Sequence, residues 1–222
     1  MCGVIGCYIS EYKKKHGILL KNIFKETQIR GKHASGFSFI RDGFVETIKR
    51  PIPAIDLIED IDFQDYTYNG KLILVGHIRY STSDLRFNQP ISSRKISIAH
   101  NGVVSQEDPQ KWKYKTEGLN DSELILRSFE KGLNPLEDFP DSSQAVCSLW
   151  AEQEKIVCFR NGKRPLWYSK EDFGVFFTST KDIGVRAGLT NMLVCDPGTQ
   201  YTVASSGLVE EKVLEIEKDL QL

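Results

Sequence analysis

What this sequence lacks narrows its class before any motif is read. It has no apolar run approaching the ~20 residues that a helix needs to cross a bilayer. Residues 4–9 are apolar but short and broken by Gly6 and Cys7, unlike a secretory signal. An excess of one charge is missing too: 29 Lys and Arg face 30 Asp and Glu, for a net charge of −1. Proteins of nucleic acids and membrane surfaces carry a basic bias, so neither partner is expected. The five cysteines show no close metal-ligand spacing, and Cys2 and Cys7 fit neither a zinc knuckle nor a redox pair. Cys147, Cys158 and Cys195 lie in apolar stretches and read as core thiols. No repeat, low-complexity linker or compositional break divides the chain. The expectation is one cytoplasmic domain over residues 1–222, without disulfides, metal or cofactor, ending in a charge-rich tail at 207–222.

The composition that is present, 40% hydrophobic and 10% aromatic, is enough for a substantial core. Short β-type apolar runs recur at residues 2–9, 36–40, 71–75, 96–99, 145–151, 155–160, 175–178, 192–194 and 200–203. Helical spacing appears at 19–30 and at 121–131, the second preceded by Asn120 as a candidate N-cap with Glu123 three residues on. Lys13, Lys14 and Lys15 read as a solvated turn, acidic residues 51–68 as a surface excursion, and the tail as a last strand or short helix. Strands outnumber helices and do not alternate with them, which predicts an α+β fold rather than a doubly wound parallel sheet.

The chain opens Met1-Cys2-Gly3-Val4-Ile5-Gly6. Initiator methionine is removed before small side chains, which would leave Cys2 with a free amine. A terminal cysteine carries a thiol of pKa about 8.5 and an amine of about 8, a nucleophile and its base on one residue. Chance remains an alternative for this dipeptide alone. Three other segments follow or precede regular elements and carry polar groups. After the strand at 71–75, Arg79 offers a planar fork for a carboxylate, with Ser81, Thr82 and Ser83 hydroxyls beside it; an arginine paired with a local acid is the competing account. After the strand at 96–99, Asn101-Gly102 reads most simply as a hairpin turn. It can also be an oxyanion hole made of a side-chain amide and a backbone N–H. At the start of the second helix, capping accounts for Asn120 and Glu123, while Asp121 is the candidate acceptor for a substrate ammonium. Together these groups are the parts needed to bind a free α-amino acid and cleave its side-chain amide.

Taken in order, Cys2 to Gly6, Arg30-Gly31-Lys32-His33-Ala34-Ser35-Gly36, Gly76-His77-Ile78-Arg79-Tyr80-Ser81-Thr82, His100-Asn101-Gly102 and Asn120-Asp121-Ser122-Glu123 resemble the class II glutamine amidotransferase domain. Phe159 to Leu166, Phe176 to Ser179 and Asp196-Pro197-Gly198 are similar to its later strand and turn motifs, so the likeness covers residues 2–205. His33 stands where the family usually has aspartate, read as a structural substitution. Ser83 stands where the sugar-phosphate synthases have histidine, which with Asn88-Gln89-Pro90-Ile91 places the likeness nearer the phosphoribosylpyrophosphate amidotransferase branch.

The resemblance implies the four-layer αββα sandwich of the N-terminal nucleophile hydrolases. It implies Cys2 as nucleophile with its own amine as base, and Asn101 and Gly102 as the oxyanion hole. Arg79 with Thr82 and Ser83 would hold the α-carboxylate of L-glutamine and Asp121 its α-amine. No synthase domain follows in this sequence, so a separate ammonia-acceptor protein is expected. Two alternatives remain at this level: a hydrolase of another γ-glutamyl amide, and a non-catalytic glutamine-binding regulatory subunit.

Overall fold

The computed structural model describes residues 2–80, 88–118 and 120–216. Along the chain run β1 (Gly3–Ile9), α1 (Lys14–Thr27), β2 (Ala34–Arg41), β3 (Phe44–Arg50), α2 (Ala54–Ile58), β4 (Leu72–Arg79), β5 (Ile91–Ser92) and β6 (Ile96–Val103). There follow α3 (Glu123–Glu130), α4 (Pro135–Asp138), β7 (Ser143–Trp150), β8 (Lys155–Arg160), β9 (Trp167–Glu171) and β10 (Gly174–Thr178). The last elements are α5 (Lys181–Ala187), β11 (Leu193–Val194), β12 (Thr199–Ala204) and β13 (Gly207–Lys212). The strands form two antiparallel sheets, in the orders β11-β9-β10-β1-β4-β2-β3 and β13-β12-β8-β7-β6-β5.

The period of two along each strand explains the layering. On β1, Ile5, Cys7 and Ile9 point to one side and join Leu20, Ile23 and Phe24 of α1. Val4 and Tyr8 point to the other and meet Cys147, Leu149, Ile156 and Cys158 of the second sheet. The outer face of that sheet, through Ile98, Val146 and Phe159, packs on Ile125, Leu126 and Phe129 of α3. Helices therefore cover both outer faces of two stacked sheets, the expected αββα order. Because both faces are covered, β1 is buried at every position, and its sequence reads as one apolar run rather than an alternation. Cys147, Cys158 and Cys195 are fully buried, and burial raises the pKa of the Cys158 and Cys195 thiols. All five cysteines are free.

Several expectations are corrected. The strand at 71–75 continues to Arg79, and the strand at 96–99 continues to Val103. Asn101-Gly102 is thus no hairpin turn: Asn101 lies opposite Ala145 and Gly102 opposite Gln144 on β7. Pairing with a distant strand overrides the local turn preference of Asn-Gly. Residues 51–68 are not a surface excursion, since Ala54, Leu57, Ile58 and Phe63 are buried against the first sheet. Lys14 and Lys15 open α1 rather than forming a turn, with Lys13 at its N-cap. The tail begins as β13, so the strand alternative holds there.

Candidate active site

One end of the central strands of the first sheet gathers three chain segments. Gly3 at the start of β1 lies opposite Ile78, and Ala34 at the start of β2 lies opposite Arg79. Cys2 and Arg79 therefore sit at the same end of neighbouring strands. Cys2 is half-buried, and its carbonyl accepts a hydrogen bond from Arg30 Nε at 3.2 Å. The next residue but one, Val4, donates its N–H to Ser179 Oγ at 2.8 Å, fixing the strand start from the β10 side. Gly31 lets the chain pass under the end of β4, where a Cβ would lie 2.4 Å from the Arg79–Tyr80 peptide. Arg30 Nη2 is buried without a partner among the described residues, and burial lowers the pKa of this guanidinium. His33, the departure from the family pattern, packs its ring 5.1 Å from that of Tyr80 and donates its backbone N–H to Arg79 O.

The second sheet meets this end through His77 of β4 and His100 of β6. His77 is fully buried with neither ring nitrogen hydrogen-bonded among the described residues. Burial, helped by nearby Arg79 and His100, pulls its pKa down to about 3, so the ring is neutral at pH 7. Just beyond His100 come Asn101 and Gly102. Asn101 is 3% exposed, and its Nδ2 has no hydrogen-bond partner among the described residues. Gly102, with φ of 155°, presses on β7: a Cβ there would lie 1.8 Å from the carbonyl oxygen of Ser143.

Asp121 hangs from the end of β6. Its Oδ2 accepts from Val104 N at 2.6 Å and Ser105 N at 3.2 Å. Arg79 donates from Nη1 to Asn88 Oδ1 at 3.3 Å, so the chain at Asn88-Gln89 steadies the guanidinium. Thr82 and Ser83, the other expected carboxylate ligands, lie outside the described residues. A cavity of about 320 Å³ opens beside Asn88 and Asn120 and reaches Lys49, Ser92, Glu123 and Arg127. Of the seven expected residues, Cys2 and Arg79 lie at one end of neighbouring strands of the first sheet, and Asn101, Gly102 and Asp121 on or beside β6 of the second.

The expected capping pattern of α3 is corrected. The helix begins after Ser122, while Asn120 Oδ1 accepts the Ser122 N–H at 3.0 Å and so caps the preceding turn; Glu123 accepts from the Glu117 and Gly118 N–H groups and from Arg127 Nη2 instead of closing a capping box. Residues to which the sequence assigned no role also converge here, namely Arg30, His77, Gln89, His100, Ser122 and Ser179. Most stand within the quoted motifs, but nothing in a motif tells a buried hydrogen-bonding partner from a spacer. Among the described residues no group of three or more His, Cys, Asp or Glu side chains could hold a metal ion. No helix among the described residues is long and apolar enough to cross a membrane.

No protein-family model matches the chain. Amidophosphoribosyltransferase of Pyrococcus horikoshii is 29% identical over 238 residues, covering 96% of this chain and 49% of that protein. The chain is homologous to amidophosphoribosyltransferase. The resemblance to the class II glutamine amidotransferase domain therefore holds over nearly its whole length. The 7-cyano-7-deazaguanine synthase of Sulfolobus acidocaldarius is 26% identical over 239 residues, 98% of this chain and 50% of that protein. The chain spans about half the length of both relatives. Among solved structures, the glutamine phosphoribosylpyrophosphate amidotransferase from B. subtilis, complexed with ADP and GMP, superposes with a TM-score of 0.73 at 20% identity, over 97% of this chain and 50% of its own. A glutamine aminotransferase class-II domain protein from Silicibacter pomeroyi gives a TM-score of 0.56 at 12% identity, over 96% of this chain and all of its own. These likenesses show a shared fold.

Proposed function

We propose that this chain hydrolyses the side-chain amide of L-glutamine and supplies the ammonia to an acceptor on a partner enzyme. With Met1 removed, Cys2 Sγ attacks the amide carbon, and the Cys2 α-amine takes the thiol proton. The new C–S bond leaves an oxyanion, which Asn101 Nδ2 and the Gly102 N–H hold. When the C–N bond breaks, the amine returns the proton to the leaving group, and ammonia departs. Water then hydrolyses the γ-glutamyl thioester, releasing glutamate and the free thiol. Arg79 binds the substrate α-carboxylate together with Thr82 and Ser83. Asp121 binds the α-ammonium through Oδ1, since Oδ2 is engaged by two backbone N–H groups.

One observation carries this reading. A buried amide donor without a partner costs about 1–3 kcal/mol, so such groups are rare unless a ligand satisfies them. Among the described residues Asn101 Nδ2 is such a donor. It stands beside a glycine at the end of β6. Homology to amidophosphoribosyltransferase and likeness to a glutamine phosphoribosylpyrophosphate amidotransferase and a glutamine aminotransferase class-II domain protein agree with it. The acceptor follows from chemistry: ammonia set free in neutral water becomes ammonium and loses its nucleophilicity.

The deciding experiment is the intact mass of the protein before and after exposure to a diazo-ketone glutamine analogue, with the modified peptide located. Loss of Met1 and a single adduct on Cys2, blocked by excess glutamine, is expected. A retained Met1, or a trimmed chain that stays unlabelled, refutes the mechanism.

A further inference from the structure

Behind the candidate site lies a closed ring of buried hydrogen bonds. His100 is 1% exposed, Ser122 2% and Gln89 7%. The backbone N–H of His100 donates to Gln89 Oε1 at 2.7 Å, and Gln89 Nε2 donates to Ser122 Oγ at 3.2 Å. Ser122 Oγ lies 2.8 Å from His100 Nδ1, and His100 Nε2 lies 3.1 Å from Ser143 O. The directions of these bonds are fixed by one fact: a carbonyl can only accept. His100 Nε2 therefore carries the ring proton. Neutral Nδ1 accepts, so the Ser122 hydroxyl donates to it, and the remaining lone pairs of that hydroxyl receive Gln89 Nε2. Burial lowers the His100 pKa, consistent with this neutral tautomer.

Ser122 immediately precedes α3, yet its hydroxyl accepts no helix N–H, and its own N–H donates to Asn120 Oδ1 at 3.0 Å. Its hydroxyl turns to His100 and Gln89 instead. The two residues it joins by sequence are informative: Asp121 precedes Ser122, and Asn101 follows His100. At the far side, Ser143 O accepts the hydrogen bond from His100 Nε2–H and also abuts Gly102. Gln89 is itself chain-adjacent to Asn88, the partner of the Arg79 guanidinium.

We propose that Ser122, acting through His100 and Gln89, is a positioning residue that links the subsite for the substrate ammonium at Asp121 to the oxyanion donors at Asn101 and Gly102. A substrate that engages Asp121 pulls on the same hydroxyl that orients His100, and so sets the two donors for the reacting carbonyl. This rests on the function proposed above. The α-amine of the substrate, far from the bond that breaks, thereby contributes to turnover and not only to binding.

The test compares L-glutamine with 5-amino-5-oxopentanoate, which lacks the α-amine, in the wild-type protein, Ser122→Ala and Ser122→Thr. The quantity read is the factor by which the α-amine raises kcat. In the wild type this factor is expected to be about tenfold, the size of a typical interaction between linked groups. It falls towards one in Ser122→Ala and returns in Ser122→Thr, which keeps the hydroxyl. Equal losses on both substrates, leaving the factor unchanged, mark a merely structural serine and overturn the proposal, as does failure of threonine to restore it. If Ser122→Ala does not fold by near-ultraviolet dichroism, Gln89→Met breaks the same ring and is read in the same way. If the wild type turns over neither amide, the proposed function fails. The link is then judged on calorimetric binding of L-glutamate against glutarate: a preference that Ser122→Ala leaves unchanged, or no binding of either, overturns it.

Discussion

The Cα of Gly102 lies so close to the carbonyl of Ser143 that a Cβ would stand 1.8 Å from the oxygen. Neither partner can yield, since both belong to paired backbone of β6 and β7. Gly102→Ala must push the strands apart, and a cost of at least about 3 kcal/mol is expected, at the upper end for overpacked sites. Urea unfolding checks it. A stability within about 1 kcal/mol of wild type would mean that the strand end relaxes freely.

Asn101→Ala removes the Nδ2 that has no partner among the described residues, and with it one of the proposed oxyanion donors. Glutamine turnover should fall about 10²–10³-fold in kcat with KM little changed, as donors that act on the transition state do. Steady-state kinetics decide. A rise in KM alone would place Asn101 in ground-state binding.

Cys2→Ala should abolish hydrolysis while the fold survives, because Cys2 precedes β1 and is only half-buried. Circular dichroism and an ammonia-release assay report the two properties separately. Residual turnover at the wild-type rate would remove Cys2 from the chemistry.

Arg79→Ala should raise KM for glutamine more than it lowers kcat, the pattern of lost uniform binding. The Asn88→Ala variant, which removes the Oδ1 that Arg79 contacts at 3.3 Å, should move KM in the same direction by a smaller factor. An unchanged KM in Arg79→Ala would place the carboxylate elsewhere.

His77 makes the fold sensitive to acid. Its pKa falls to about 3 on folding, from burial first and then from Arg79, His100 and, more weakly, Lys49. A proton is thus held more tightly by the unfolded chain, whose histidine titrates near 6.5. The stability that neutral His77 allows is complete above about pH 6.5 and drains as pH falls toward 3, at about 1.4 kcal/mol per pH unit. His100, whose pKa burial also lowers, acts in the same direction. Urea midpoints between pH 4 and 7 should show a shallower slope for His77→Leu than for wild type. Parallel slopes would mean that the buried ring is not what titrates.

The layers were legible where burial on both faces produced plain apolar runs. β8 spans residues 155–160, as read from the sequence, and β1 differs by one residue at its start. Two strands with exposed positions were lost, although β11 with its exposed Leu193 was read at 192–194: β3 mixes exposed Phe44, Glu46 and Lys49 with half-buried residues, and β9 carries Lys170 and Glu171. α5 buries only Ile183, Gly184 and Ala187, too few turns for a helical period to stand out. In α2 the period was present, with Ala54, Leu57 and Ile58 on one face, but the acidic residues around them dominated the reading. At the site, residue types and order were readable, whereas the strand character of Asn101-Gly102 was not, because it depends on a partner some forty residues away. The ring formed by Gln89, His100 and Ser122 escaped for the same reason, as did the pairing of Arg30 with the Cys2 carbonyl.

β1 is the middle strand of seven, and its neighbours come from far along the chain: Ile5 pairs with Gly76 on one side and with Thr178 on the other. Contacts of such sequence separation are slow to form, since a long loop must close before they bring any gain. The segment that presents Cys2 is therefore secured only once both distant strands have arrived, while a large part of the polypeptide is already in place. Afterwards its amides should exchange with solvent only when the whole domain opens, so the thiol is anchored to the most slowly exchanging part of the molecule.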